Sequence, residues 1–410
     1  MKRKSVIIVA YNFDQDRTAS QRPKSWLRFF YNFGYYPIVV TISKKQYIEN
    51  FLHGEVHRVK APDLFIERKL STFFPPLINK IRKKLHQIFI AYSAVDKTTR
   101  LLNSYIKENL SKKSDLMIVS GSPFQLFRLG YNYSKLPDKN WVADYRDQWT
   151  LSKIPPIGEL KLDRIIKRTI LRRLEKKWLN SSIFGSHVSK VMANELSELS
   201  VKPVEVIENG FYIDEHREKH LFPESGIVSF VYIGALYSVQ NIDLTISAIY
   251  EGLKRSKTKG KIGFIGTKLN NDILDLIGKI DESILEIRVL SRMSKAECLA
   301  TQQENHFGIM LNYGIKGVPS SKLYEFIGMQ QQVFNYPSDI DIIEKTLTDC
   351  NLGYSFSNHE NAVDWVADTA TKINKGQFVP LKPNQLEIDK FSREKLAEKY
   401  CFHLNKHTIN

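Results

Sequence analysis

The sequence predicts an α/β protein with two Rossmann-like domains in succession, facing each other across a cleft. Three observations lead there. Short apolar, β-branched runs alternate with longer segments of helical period, the pattern of βαβ units on a parallel sheet. The rhythm lapses near residues 210–226, where Asn-Gly, Pro and mixed charges interrupt both periodicities, and it restarts at Gly226. The 410 residues, 42% apolar with only 15 Pro and 20 Gly, suffice for two cores.

In the first half the runs predict strands over 5–10, 36–42, 115–120, 141–145, 182–184 and 204–207. Helical periods fall over 23–33, 79–107 and 161–179. After the break, strands are expected over 228–233, 261–265, 285–289, 307–311 and 332–335, with helices over 242–254, 271–280, 294–303, 321–329 and 339–350. Domain limits follow at 1–215 and 216–385, leaving 386–410 as a terminal segment whose helix, over 392–405, can pack on either domain. Ligands of open parallel sheets bind outside the carboxyl ends of the strands, so the cleft is the expected site.

Composition excludes several classes. The basic-then-apolar start, MKRKSVIIVA, is short for a leader, lacks a small-x-small cleavage site and runs into polar sequence, so it is read as the first strand. No window approaches the ~20 apolar residues of a membrane span. Cys298, Cys350 and Cys401 have neither paired nor metal-ligand spacing, which argues for a reducing compartment without disulfides. The net charge of +16 is unevenly distributed. Residues 1–200 carry 36 Lys+Arg against 17 Asp+Glu, and the remainder 24 against 27. The first half therefore faces an anionic partner or presents a merely solvated basic surface.

The most informative segment is Gly317-Val-Pro-Ser-Ser-Lys-Leu-Tyr-Glu-Phe-Ile-Gly328. Ser320 or Ser321 is placed to cap a helix whose first-turn amides, with Lys322 among them, can hold a diphosphate. Glu325, one turn on, can accept hydrogen bonds from ribose hydroxyls. An ordinary capped helix with Lys and Glu on its wet face has the same spacing.

This segment resembles the donor-site motif of retaining glycosyltransferases of the GT-B fold, particularly glycosyltransferase family 4, in which a Lys-x-x-Glu helix follows a proline turn. Tyr232-Ile-Gly-Ala235, Val206-Ile-Glu-Asn-Gly-Phe211 and Ser181-Ser-Ile-Phe-Gly-Ser-His187 agree with that family, and Trp141-Val-Ala-Asp-Tyr-Arg-Asp-Gln-Trp149 is similar to a segment of polysaccharide-assembly members. The resemblance implies a nucleotide-sugar donor, a glycan or lipid-linked acceptor, surface polysaccharide biosynthesis and retention of configuration. It also implies Gly234, Ser320, Ser321, Lys322 and Glu325 at the donor. Two departures stand out. The family often has a second Glu where this chain has Gly317, and its diphosphate-clamping Arg and Lys fall at Ala235 and Gln240. Lys322, and Arg292 and Lys268 after the strands ending at 289 and 265, are the candidate replacements. Cationic side chains and helix-end amides stabilise a departing diphosphate without metal, so neither metal nor cofactor is expected.

In the first domain the loop after the first strand offers Arg17 and Arg22 for an acceptor phosphate. Asp144, Arg146 and Asp147 end another strand at the same rim. Arg146 is a further acceptor candidate, and Asp147 either orients the donor sugar or acts as general base in an inverting reaction. A bracing Asp-Arg pair fits the same residues. His187 is a weaker candidate. Ile166, Ile170, Leu174 and Trp178 recur every four residues among Arg168, Arg172, Arg173, Lys176 and Lys177. With the apolar-basic stretch over 73–85, they suit attachment to an anionic membrane surface at about 1 kcal/mol per basic residue. The expected location is thus cytoplasmic, peripheral at the inner face of the plasma membrane. Two other readings stay open: a GT-B-like scaffold without turnover, and a nucleic-acid-binding protein. No helix-turn-helix, zinc-finger or RNA-binding signature supports the latter, so no nucleic acid is expected.

Overall fold

The computed structural model describes residues 3–11, 13, 18–61, 97–153, 171–216, 220–224, 226–237 and 239–408. The chain divides into two compact units, Met1–Ile207 with Ala397–Asn410, and Glu208–Leu396.

The first unit is built on an eight-stranded sheet. Its strands are β1 (Lys4–Val9), β2 (Tyr35–Ser43), β3 (Tyr47–Phe51), β4 (Gly54–Lys60), β5 (Leu116–Ser120), β6 (Asn140–Tyr145), β7 (Phe184–His187) and β8 (Val204–Val206), in the order β3-β4-β2-β1-β5-β6-β7-β8. All neighbours pair in parallel except β3, which turns back antiparallel on β4. Val6, Ile7, Ile8 and Val9 are fully buried, as expected of a parallel strand covered on both faces. The final helix, Arg393–Thr408, returns to this unit. Its Ala397, Tyr400, Cys401 and Leu404, at helical spacing, pack with Val6, Ile8, Trp26 and Phe184.

The second unit carries β9 (Val228–Ile233), β10 (Gly260–Ile265), β11 (Leu285–Leu290), β12 (Phe307–Met310), β13 (Val333–Asn335) and β14 (Gly353–Ser355) in the order β11-β10-β9-β12-β13-β14. All five pairings are parallel. This is the doubly wound Rossmann order, whose strand direction of travel reverses between β9 and β12, and ligands bind at such a switch point. In the Ile242–Ser256 helix, Ile242, Ile246, Ile249 and Leu253 recur at helical spacing and lie in the core of this unit.

Several elements depart from the sequence reading. The hairpin of β3 and β4 was not anticipated, because Leu52-His53 is not a hairpin-turn pair and Tyr47-Ile-Glu-Asn-Phe51 has an exposed, weak pattern. Helices Phe127–Tyr133, Lys190–Ser197, His359–Asn374 and Gln385–Asp389 and strand β14 are also additional. The seventh strand begins at Phe184 rather than 182, since Ser182 closes a turn by donating both its amide and its hydroxyl to Leu179 O. The helix expected from 339 starts at Ile342. Asp339 instead accepts from the amides of Ile343 and Glu344. Of the helix expected over 79–107, residues 97–107 are described and helical, and the helix continues to 109; the remainder, and the 73–85 stretch, lie outside the described residues.

Candidate active site

At the switch point of the second sheet, β9 ends in Gly234 and the loop after β12 leads into the Ser321–Met329 helix. Gly234 has φ +106°, a conformation that L side chains rarely adopt. A Cβ there would stand 3.0 Å from Lys322 Cε and 3.4 Å from Lys322 Nζ, so the glycine leaves the channel through which this lysine passes. Lys322 Nζ donates to Tyr232 Oη at 2.6 Å and lies 3.8 Å from the centre of that ring. Burial pushes the ammonium down to about 7 against the opposing pull of Glu325. The site thus contains a cation whose charge is held at a cost until an anion arrives.

Ser320 occupies the N-cap position in extended conformation and is 5% exposed, but its side chain makes no capping bond. The expected serine cap is therefore absent as a bond, since Ser320 contributes its carbonyl, which accepts from Leu323 N at 3.2 Å. Ser321 follows as the first helical residue, half-buried. Glu325 is half-buried one turn later. Its carboxyl is raised by burial and by Glu215, against the lowering influence of Lys295, Lys322 and Arg393. Lys295 is itself ion-paired with Glu215.

The other two candidate replacement cations, Arg292 and Lys268, are both exposed. Arg292 shares a neighbourhood with Glu325, since Cys298 is raised by its burial and by Glu325 and lowered by Arg292. Lys268 lines a cavity of about 600 Å³ together with Gln240, Asn241, Asp243 and Asn270. Thr267 beside it donates to Gly234 O at 2.8 Å. Gln240, at one of the departed clamp positions, braces the loop after β9. Its Oε1 accepts from Tyr237 N at 3.0 Å and Tyr232 Oη at 3.4 Å, while its Nε2 donates to Leu311 O. Tyr232 therefore joins the Lys322 end of the site to the Gln240 end, a role that residue spacing does not reveal although Tyr232 opens the Tyr232-Ile-Gly-Ala235 segment. Gly317, at the position where the resembled family often has a second Glu, has φ +78° and donates its amide to Asp341 Oδ2. A glutamate there would have to adopt the disfavoured left-handed region.

In the first unit, Arg17 lies outside the described residues. Arg22 is 2% exposed. Its Nε and Nη2 donate to Asp144 Oδ1 at 3.0 and 2.8 Å, and its Nη1 to Ile207 O at 2.8 Å. Asp144 is fully buried and also accepts from Ser120 Oγ and Ser186 Oγ. These contacts use Arg22 as an internal brace tying the first helix to β6 and to the end of the β8 segment. A phosphate-bearing acceptor would have to break them. Arg146 is half-buried and donates to Gly121 O; burial lowers its guanidinium, with Asp147 and Asp144 opposing. Asp147 is exposed at the end of β6. His187 is fully buried, and burial, with Arg22 nearby, pulls its imidazole down to about 3, which keeps it neutral.

The described part of the basic amphipathic segment is the helix Arg172–Leu179. Trp178 and Leu179 belong to the core, and Arg172, Arg173, Lys176 and Lys177 are exposed. Its apolar side is thus occupied within the fold, leaving a purely cationic face. Beside it, Arg128, Lys135 and Lys177 surround Tyr131 in a recess of about 320 Å³. Among the described residues no helix is long and apolar enough to cross a membrane.

No protein-family model and no curated protein matches the sequence. Solved structures do. The chain is similar to a sucrose-phosphate synthase from Thermosynechococcus elongatus, with TM-score 0.65, 12% identity, and 98% of this chain and 99% of that one covered. It is similar to an α,α-trehalose-phosphate synthase (UDP-forming) from Burkholderia vietnamiensis, with TM-score 0.64, 8% identity and 99% of both chains covered. The catalytic domain of starch synthase IV from Arabidopsis thaliana, bound to ADP and acarbose, gives TM-score 0.57 and 11% identity over 100% of each chain. The fold is that of the GT-B glycosyltransferases, two Rossmann-like units in one chain.

Proposed function

We propose that this protein is a nucleotide-sugar-dependent glycosyltransferase acting on a glycan or lipid-linked acceptor in surface polysaccharide assembly, with retention of configuration. The reading rests on one observation above all: a half-buried lysine, its ammonium 3.8 Å from the Tyr232 ring and its chain running over Gly234, beside a helix start whose serine makes no capping bond. Such a place suits a nucleoside diphosphate, because helix-end amides and a cation in low dielectric both favour the dianion. The proteins it resembles in fold include one named as UDP-forming and one bound to ADP, which agrees with this assignment.

As the glycosidic bond breaks, negative charge grows on the diphosphate. Lys322 and the amides of Ser321 and Lys322 stabilise it, and Arg292 and Lys268 supply the charge that Ala235 and Gln240 lack. Glu325 accepts from ribose hydroxyls, and Asp147 orients the transferred sugar. The chemistry proceeds without metal or other cofactor. The cationic first half, including the Arg172–Leu179 face, meets a phosphate-bearing acceptor or the anionic inner face of the plasma membrane.

The deciding experiment is a thermal-shift screen with UDP, GDP, CDP, TDP and their sugars, followed by donor hydrolysis with the stabilising sugar nucleotide. Stabilisation by one nucleotide together with hydrolysis that resists chelator supports the proposal. Stabilisation without hydrolysis or transfer identifies a scaffold that has lost turnover, as the residues at 235, 240 and 317 would motivate. Salt-sensitive nucleic-acid binding without nucleotide affinity overturns it.

A further inference from the structure

The C-terminal helix places His403 and His407 four residues apart, on one face, opposite Glu205 of the edge strand β8. Glu205 Oε1 stands 2.7 Å from His407 Nε2 and 3.3 Å from His403 Nδ1. One donor atom from each of the three residues lies within 4.8 Å of the others. All three side chains are largely shielded, between 12% and 17% exposed. The Phe184 ring lies 4.9 Å from that of His407 and closes one side. His403 Nδ1 is buried and makes no hydrogen bond. A carboxylate that already accepts from His407 and Lys406 does not satisfy this nitrogen.

We propose that Glu205, His403 and His407 form a binding site for a divalent transition-metal ion of the zinc class, held as His₂Glu with water completing a tetrahedron. Ligand atoms about 2.0–2.1 Å from a tetrahedral ion stand roughly 3.3 Å apart, so separations of 2.7 and 3.3 Å, and of no more than 4.8 Å, require shifts between nothing and about 1.5 Å. Imidazole with one carboxylate is a zinc-type donor set. The ion would fasten the returning helix to the sheet two residues before the chain leaves the first unit at Ile207. This role is structural and independent of the nucleotide reading.

One group opposes the ion. Lys406 Nζ lies 3.1 Å from the same Glu205 oxygen and competes for it. That competition separates metal binding from a plain ionic clamp. The test uses the full-length, tag-free protein, stripped with chelator and titrated with Co²⁺ and Zn²⁺, read by Co²⁺ visible absorption and melting temperature. The expected result is one equivalent with tetrahedral, thiolate-free Co²⁺ bands and a raised melting temperature. His403→Ala, His407→Ala and the shape-preserving Glu205→Gln should each weaken binding by more than about tenfold. Lys406→Ala should tighten it. Absence of saturable one-to-one binding, binding unchanged by the histidine and glutamate substitutions, or a Lys406→Ala protein that binds no better than wild type would overturn the site.

Discussion

If Lys322 is the cation that receives the diphosphate, donor binding must take up a proton. Burial holds its ammonium down to about 7, and an adjacent dianion returns it toward the ordinary value of 10.5. At pH 8 such a group is about one-tenth protonated when the site is empty, so binding takes up about 0.9 proton; at pH 6 the uptake falls to about 0.1. Affinity is coupled to the same equilibrium, and between pH 7 and 9 the dissociation constant should rise about fiftyfold. A nucleotide sugar is the right probe, because its diphosphate has no titrating group near neutrality. Calorimetry in buffers of different ionisation enthalpy measures the uptake directly. The unliganded protein gives a second readout. The unfolded chain binds more protons at this lysine between pH 7 and 10.5, so stability should rise with pH in that window and lose this contribution below it. Lys322→Met should abolish both effects. Donor binding independent of buffer at pH 8, or unchanged proton uptake in Lys322→Met, would refute the assignment of Lys322 to the diphosphate.

Glu325→Ala should eliminate donor hydrolysis and transfer while the melting temperature stays near that of wild type; full activity would remove Glu325 from the site. Gly234→Ala requires φ +106° and brings a methyl within 3.0 Å of Lys322 Cε, so it should cost about 1–3 kcal/mol of stability and weaken nucleotide binding, read by denaturant melts and calorimetry. Asp144→Ala leaves Arg22 buried without its carboxylate and should destabilise the protein by about 3–5 kcal/mol in urea unfolding, whereas a surface acceptor contact would leave stability near wild type.

Much of the second unit was legible because its elements have strong, short-range signatures. The helix over Ser321–Met329 and strand Val228–Ile233 fall on the expected residues, where an apolar period meets a clear stop such as Gly234 or a start such as Pro319-Ser320. The additional helix His359–Asn374 was less legible, since its buried Ala362, Val363, Val366 and Ala370 are small and interleaved with polar residues. The first unit was read less completely for a related reason. The β3–β4 hairpin is local, yet its Leu52-His53 turn carries no turn signal and the edge strand Tyr47–Phe51 is mostly exposed, without a clear alternation.

At the candidate site, residue types and spacing singled out Lys322 and Glu325, but not what surrounds them. The sequence by itself determined the alternation of strands and helices and the Lys-x-x-Glu helix, because these depend on contacts within a few residues. Tertiary structure alone decided that Tyr232 receives Lys322, that Arg22 is locked onto Asp144 122 positions away, and that His403 and His407 meet Glu205 across some 200 residues. Burial and proximity set the charge state and availability of a side chain, and both are properties of the folded packing.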